Sequence, residues 1–319
     1  MTATNLKAPA PSLNNYNTIR HSPQYQKLLM KLNEKKQENK KMLQKLEHYV
    51  GYSGNYNVDI PRLINNIRFC ASFISAAITE SGETKIINSN FCRERLCAVC
   101  AWRRQSKFIA TTYPALNYLT EKGNKFIMAT FTLRNCKEED LSKTIDKLLE
   151  GYHRLLKYKR MEFVKGYIRS LEITYNRNRN DYHPHIHAIF VVSGDYFRSN
   201  SYIAAEELSL LWKKATKSDY IPKIDIRRVV NRNGKIPCIE AMKYCYKPQW
   251  GLTGHQYLVY AQNLKGRRII TFGGELKALR KIDFDNLCDD INTKSSPVAY
   301  AFLLKFNASG GIYELEKEY

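Results

Sequence analysis

The chain has 319 residues, 44% of them hydrophobic and 12% aromatic, which predicts one sizeable core with smaller satellite modules. Lysine and arginine number 51 against 30 aspartates and glutamates, a formal charge of +21, so a polyanionic partner is expected, nucleic acid first and an anionic membrane second. No apolar run is long enough to span a bilayer and the opening MTATNLKAPAPSLNN lacks the apolar core of a signal peptide, which predicts a soluble, intracellular protein.

Residues 1 to about 20 are rich in Pro, Ser and Asn and read as disordered, and 22–49 reads as a Lys- and Glu-rich helix. With only Leu28, Leu29, Leu32, Leu43 and Leu46 as scattered anchors, that helix is expected to be a solvated arm. An apolar stretch over 64–78 and a strand KIINSNF follow, and then a basic helix begins at AWRRQSKF. No internal repeat is present.

Between strand and helix, Cys92, Cys97 and Cys100 have C-x4-C-x2-C spacing, and Cys70 in RFCASF can supply a fourth thiolate for a closed tetrahedral structural Zn²⁺ site. The plain alternative is a set of buried or free thiols. Cys136, Cys238, Cys245 and Cys288 show no pairing pattern and read as core or incidental.

From 126 the periodicity sharpens. FIMATFTL is strand-like, 138–158 an amphipathic helix, 166–175 a strand, 183–192 a second strand after the turn NRNRND, 202–216 a helix and 223–230 a strand. The order βαββαβ predicts an α+β, ferredoxin-like antiparallel core, with an N-terminal helical arm and a small cysteine-rich module added. A further helix is expected over 236–247. The organisation expected is a disordered start and helical arm (1–60), a cysteine-rich basic module (61–122), the βαββαβ core with its following helix (123–250) and a C-terminal basic extension (251–319).

In HPHIHAIF, His185 and His187 are two apart on a strand and project from one face. A hairpin centred near Asn178 and Arg179 sets Glu172 opposite that stretch, on the same face if Leu171 and Ile173 pack with Ile186 and Phe190. His-x-His alone is commonly a surface pair, but three of seven histidines lie within five residues here, with a carboxylate in register. Two imidazoles and a carboxylate suit Mn²⁺ or Mg²⁺ as a Lewis acid on a phosphate oxygen, and also accept Zn²⁺, Fe²⁺ or Co²⁺. His183 shares the face as a supporting residue.

In IEAMKYCYKP, Glu240, Tyr244 and Lys247 fall at i, i+4 and i+7, one stripe of a helix. A phenol is a weak nucleophile at neutral pH. Lys247 can stabilise its phenolate while the two-His site activates a phosphodiester, and Glu240 can act as general base in a closing reaction.

NFCRERLCAVCAWRR, FTLRN, HPHIH and EAMKYCYK, in this order, resemble the plasmid rolling-circle replication initiators of the Firmicutes, within the endonucleases named for a His-hydrophobic-His (HUH) motif. The resemblance spans roughly residues 66–275. It implies metal binding by His185 and His187, Tyr244 as nucleophile, and Glu240 at the position serving the terminating cleavage. Ala98 stands where relatives often carry proline. The implied activity is metal-dependent nicking and rejoining of plasmid DNA at a single-stranded or hairpin site in the double-strand origin, through a 5′-phosphotyrosine intermediate that leaves a 3′-hydroxyl primer. The setting implied is the bacterial cytoplasm, without a membrane, with host helicase, DNA polymerase and single-strand binding protein as partners. A relaxase or single-strand transposase with the same chemistry, and a non-catalytic zinc-containing DNA-binding protein, are the alternatives.

Overall fold

The computed structural model describes residues 19–229, 251–279 and 298–319. In chain order the elements are α1 (Pro23–Glu47), α2 (Ile60–Phe69), β1 (Phe73–Thr79), β2 (Thr84–Asn88), α3 (Ala98–Glu121), β3 (Lys125–Thr132), α4 (Glu138–Leu155), β4 (Gly166–Asn176) and β5 (Asp181–Val192). They continue with α5 (Ala205–Thr216), β6 (Ile224–Arg228), α6 (Gly254–Leu264), β7 (Ile270–Gly273), α7 (Gly274–Leu279), β8 (Val298–Asn307) and β9 (Ile312–Glu318).

Strands β3 to β6 pair in the order β6-β3-β5-β4, all antiparallel, which with α4 and α5 completes the expected ferredoxin-like core. Its α4 carries Leu141, Ile145, Leu148, Tyr152 and Leu155 buried along one stripe, the 3.6-residue period that lays a helix on a sheet. Against that stripe, Phe131, Tyr152, Phe190 and Trp212 form an aromatic cluster, with ring centroids of Phe131 and Trp212 5.0 Å apart. The Trp212 indole N–H donates to the Thr132 carbonyl at 2.9 Å, so the largest core side chain leaves no polar atom unpaired.

A fifth strand, β7, extends the sheet beyond β4. On the face away from α4, Phe108, Leu116 and Leu119 of α3 pack with Phe126, Ile168, Ile189 and Val191. The helix that follows the cysteine segment is thereby seated on the five-stranded sheet.

The second sheet has the order β2-β1-β8-β9. It joins residues 73–88 to the last described strands, with Phe73 paired to Lys305 and Ile78 to Tyr300. The apolar stretch over 64–78 is not one element. It divides into α2 and β1 at Ala71, whose φ of 53° turns the chain out of the helix.

The solvated-arm reading of the first helix is corrected. On α1, Tyr25, Leu28, Leu32, Met42, Leu43 and Leu46 are buried in the main core, and so are Lys35, Lys36 and Asn39. The helix packs on α2, α3, α6 and β9. Its polar residues are buried because they have fixed partners: Lys36 donates to the Cys70 carbonyl, and Asn39 spans to the cysteine segment.

Candidate metal centres

The β4–β5 hairpin aligns Asn176 with Asp181 and therefore Glu172 with His185, Ser170 with His187 and Thr174 with His183. Because strand side chains alternate, Glu172, His185 and His187 share a face, while Leu171, Ile173, Ile186 and Phe190 enter the helix-covered core. His185 Nε2 lies 3.2 Å and His187 Nε2 3.0 Å from the same oxygen, Glu172 Oε2. All three candidate ligand atoms fall within 4.8 Å of one another. Neighbouring ligands of an octahedral ion at about 2.1 Å stand about 3.0 Å apart, so this spacing fits a divalent cation.

The remaining ring nitrogens are occupied in the way metal-ligating histidines require. His185 Nδ1 donates to the His183 carbonyl at 3.0 Å, and His187 Nδ1 lies 3.1 Å from the Thr130 hydroxyl on β3. A carbonyl only accepts, so the Nδ1 proton of His185 is fixed and Nε2 is turned to the shared point. Burial pushes the Glu172 carboxyl up, but when both rings carry an Nε2 proton their hydrogen bonds outweigh it and hold it at about 2; a bound cation would take the place of those protons. The group offers an ionised oxygen over the whole physiological range.

His183 does not join the cluster. Its Nδ1 lies 2.7 Å from Asn135 Oδ1, and Asn135 donates through Nδ2 to Asp181 at 2.9 Å. The last residue of FTLRN thus braces the start of the histidine strand. Spacing on one strand gives no sign of that cross-strand contact, and Thr130 was missed for the same reason. Thr130→Ala is expected to weaken divalent-metal affinity about 10–100-fold, the usual effect of losing an outer hydrogen bond to a ligand, as titration calorimetry would measure.

Cys70, Cys92, Cys97 and Cys100 form the second group, their sulfurs also within 4.8 Å of one another. Cys100 Sγ is 3.5 Å from Cys70 Sγ and 3.7 Å from Cys92 Sγ. Thiolates about 2.3 Å from a tetrahedral zinc stand about 3.8 Å apart. The segment and α1 together supply donors to sulfur: Cys92 N–H to Cys70, Arg93 N–H to Cys100, and the Asn39 side-chain amide of α1 to Cys97 at 3.3 Å. Hydrogen bonds among the four thiols pull Cys97 and Cys100 below the ordinary thiol range and push Cys70 and Cys92 above it, so they share protons as one cluster. Cys136 stands apart, half-buried, with Sγ 3.8 Å from the Tyr182 carbonyl.

A family model described as Replication protein matches residues 83–300, a span that holds Cys92, Cys97, Cys100 and the whole β4–β5 hairpin. The chain belongs to that family. The resemblance to plasmid rolling-circle initiators is supported by relatives called protein rep. One from Bacillus sp is 40% identical over 167 residues, 50% of this chain and 53% of that protein. Another from Streptococcus pneumoniae is 30% identical over 230 residues, covering 69% and 71%. A third from Staphylococcus aureus is 30% identical over 221 residues, covering 68% and 92%. The chain therefore spans about half the length of the Bacillus relative. No solved structure gives a significant match.

For a replication protein the basic residues matter, and the structure divides them. Arg104 is spent internally, donating to the carbonyls of Arg93, Glu94 and Arg95, and Arg267 is held by Asp146 and Ser142. Arg227 pairs with Asp225, and Arg228 lies 4.7 Å from the Phe197 ring. Arg103, though 4.4 Å over Phe91, and Lys107 face outward. Glu240, Tyr244 and Lys247, with Arg232, Cys238, Cys245 and Cys288, lie outside the described residues. No helix among the described residues is long and apolar enough to cross a membrane.

Proposed function

We propose that the chain initiates plasmid replication by cutting one DNA strand at the double-strand origin and later rejoining it. The observation that carries the reading is the convergence of two imidazole nitrogens on one carboxylate oxygen, at ligand spacing, on the sheet face of a replication-family protein. Glu172, His185 and His187 hold a divalent ion, Mn²⁺ or Mg²⁺, which supplies Lewis acidity at the scissile phosphate. Thr130 and the His183 carbonyl keep both imidazoles aimed, so little reorganisation is needed as charge develops on the phosphate.

Tyr244 is the nucleophile. Its phenolic oxygen bonds to phosphorus, the bond from phosphorus to the 3′ oxygen breaks, and the 3′ oxygen leaves as a hydroxyl with the proton the phenol gave up. Lys247 stabilises the phenolate. In the closing step Glu240 takes the proton of the attacking hydroxyl or water as the phosphotyrosine bond breaks. The 3′-hydroxyl primes synthesis, with host helicase, polymerase and single-strand binding protein as the partners such a primer requires. The four cysteines hold a structural Zn²⁺ that fixes the segment between β2 and α3.

Incubating the full chain with an origin-bearing supercoiled plasmid and Mn²⁺ or Mg²⁺ tests this. Open circles with protein attached to the 5′ end are expected, and chelation should abolish them. Nicking that survives chelation would remove the catalytic role from the two-His site.

A further inference from the structure

Helices α1 and α3 and the turn into β2 enclose an open groove of about 1390 Å³ well apart from the Glu172 cluster in sequence and lining. On α1, Lys27, Lys31 and Glu34 line it at i, i+4 and i+7, and on α3, Arg103, Lys107 and Ala110 line it at the same spacing. Each helix therefore turns one continuous stripe to the groove, and Lys85 enters from β2. Half-buried Trp102 and buried Leu28 lie among these charges.

Among the described residues five cations face one carboxylate across this space, and Glu34 already bonds Lys31 at 2.8 Å and Lys35 at 3.0 Å. Like charges gathered around a common concavity repel one another unless a polyanion occupies it. The lining favours a duplex over a single strand: single-strand grooves place successive aromatics under successive bases, whereas among the described residues Trp102 is the one aromatic lining this groove. Flexible lysines at helical spacing suit phosphates instead.

We propose that this groove seats the phosphate backbone of duplex DNA beside the nick site, and so serves as a second DNA contact separate from the metal centre. The inference rests on the reading that the chain nicks DNA. A physical link joins the two sites: α3 lines the groove and packs Phe108, Leu116 and Leu119 against Ile189 and Val191 of β5, the strand that carries His185 and His187. Duplex held on α3 is thereby fixed relative to the metal ligands.

The test is the triple variant Lys27→Ala, Lys31→Ala, Lys107→Ala in the full chain, with its Lys→Arg counterpart, binding a mixed-sequence duplex and a single strand of equal length over a range of salt. The alanine variant is expected to lose duplex affinity about 10–100-fold and to lower the slope of log affinity against log salt by about three, one for each phosphate contact removed. Its single-strand affinity and its nicking of a single-stranded origin oligonucleotide should match the parent, and the arginine variant should restore duplex binding. Parental duplex affinity and slope in the alanine variant would overturn the proposal. So would an equal loss on the single strand. If the parent itself fails to nick the oligonucleotide, the nicking function falls, while the groove is still judged by duplex binding.

Discussion

His187→Ala is expected to slow plasmid nicking by about a thousandfold or more at saturating Mn²⁺, because Lewis-acid stabilisation is worth several kcal/mol and each 1.4 kcal/mol or so is tenfold in rate. The substitution takes one of the three converging atoms from the site and leaves the Glu172 oxygen, which is 3.0 Å from His187 Nε2, with His185 alone. It also strips the Thr130 hydroxyl of its ring partner. Glu172→Ala should have an effect of similar size. Single-turnover nicking rates, read beside thermal melting to separate chemistry from folding, make the measurement. A rate within a few-fold of the parent in both variants would show that the cluster is structural and not catalytic.

Cys100→Ser is expected to act on stability first. Cys100 is the hub of the second cluster, close to Cys70 and Cys92 and accepting the Arg93 N–H. Around it meet α1, through Lys36 and Asn39, and β9, through the Tyr313 hydroxyl, which donates to the Ala71 carbonyl. Losing the proposed zinc would release all of these at once. A fall in Tm of about 10 °C or more is expected for the roughly 3–5 kcal/mol this represents, together with loss of one zinc per chain by elemental analysis. An unchanged Tm, with no zinc in the parent protein, would show that the four thiols pack without metal.

The convergence of Glu172, His185 and His187 was legible in the sequence because two short-range rules suffice for it. Strand alternation puts His185 and His187 together, and a turn between Asn176 and Asp181 then brings Glu172 into register by counting. The βαββαβ order was legible for the same reason, each element having its own local period. Cys70 could be joined to the other cysteines by residue type alone, 22 positions before Cys92.

What escaped were contacts between segments remote in the chain. The pairing of β1 with β8 links residues more than 200 apart, and no local pattern announces it. Four-residue β7 is too short to show alternation. Helix α1 looked solvated because lysine and asparagine ordinarily face water, and only the structure shows Lys36 and Asn39 buried against the cysteine segment. Asn135 and Thr130 support the histidines across strands, a role that nothing in their own neighbourhood signals. The groove required α1 and α3, about 75 residues apart, to be seen side by side.

The proposed chemistry depends on which atom receives the cut strand. The most direct measurement is a mass-spectrometric peptide map of the protein after reaction with an origin-bearing plasmid and Mn²⁺, followed by nuclease trimming of the DNA. A nucleotide adduct is expected on the peptide that contains Tyr244, absent from Tyr244→Phe and absent under chelation. An adduct on another of the 22 tyrosines, or nicking by Tyr244→Phe at the parental rate, would contradict it.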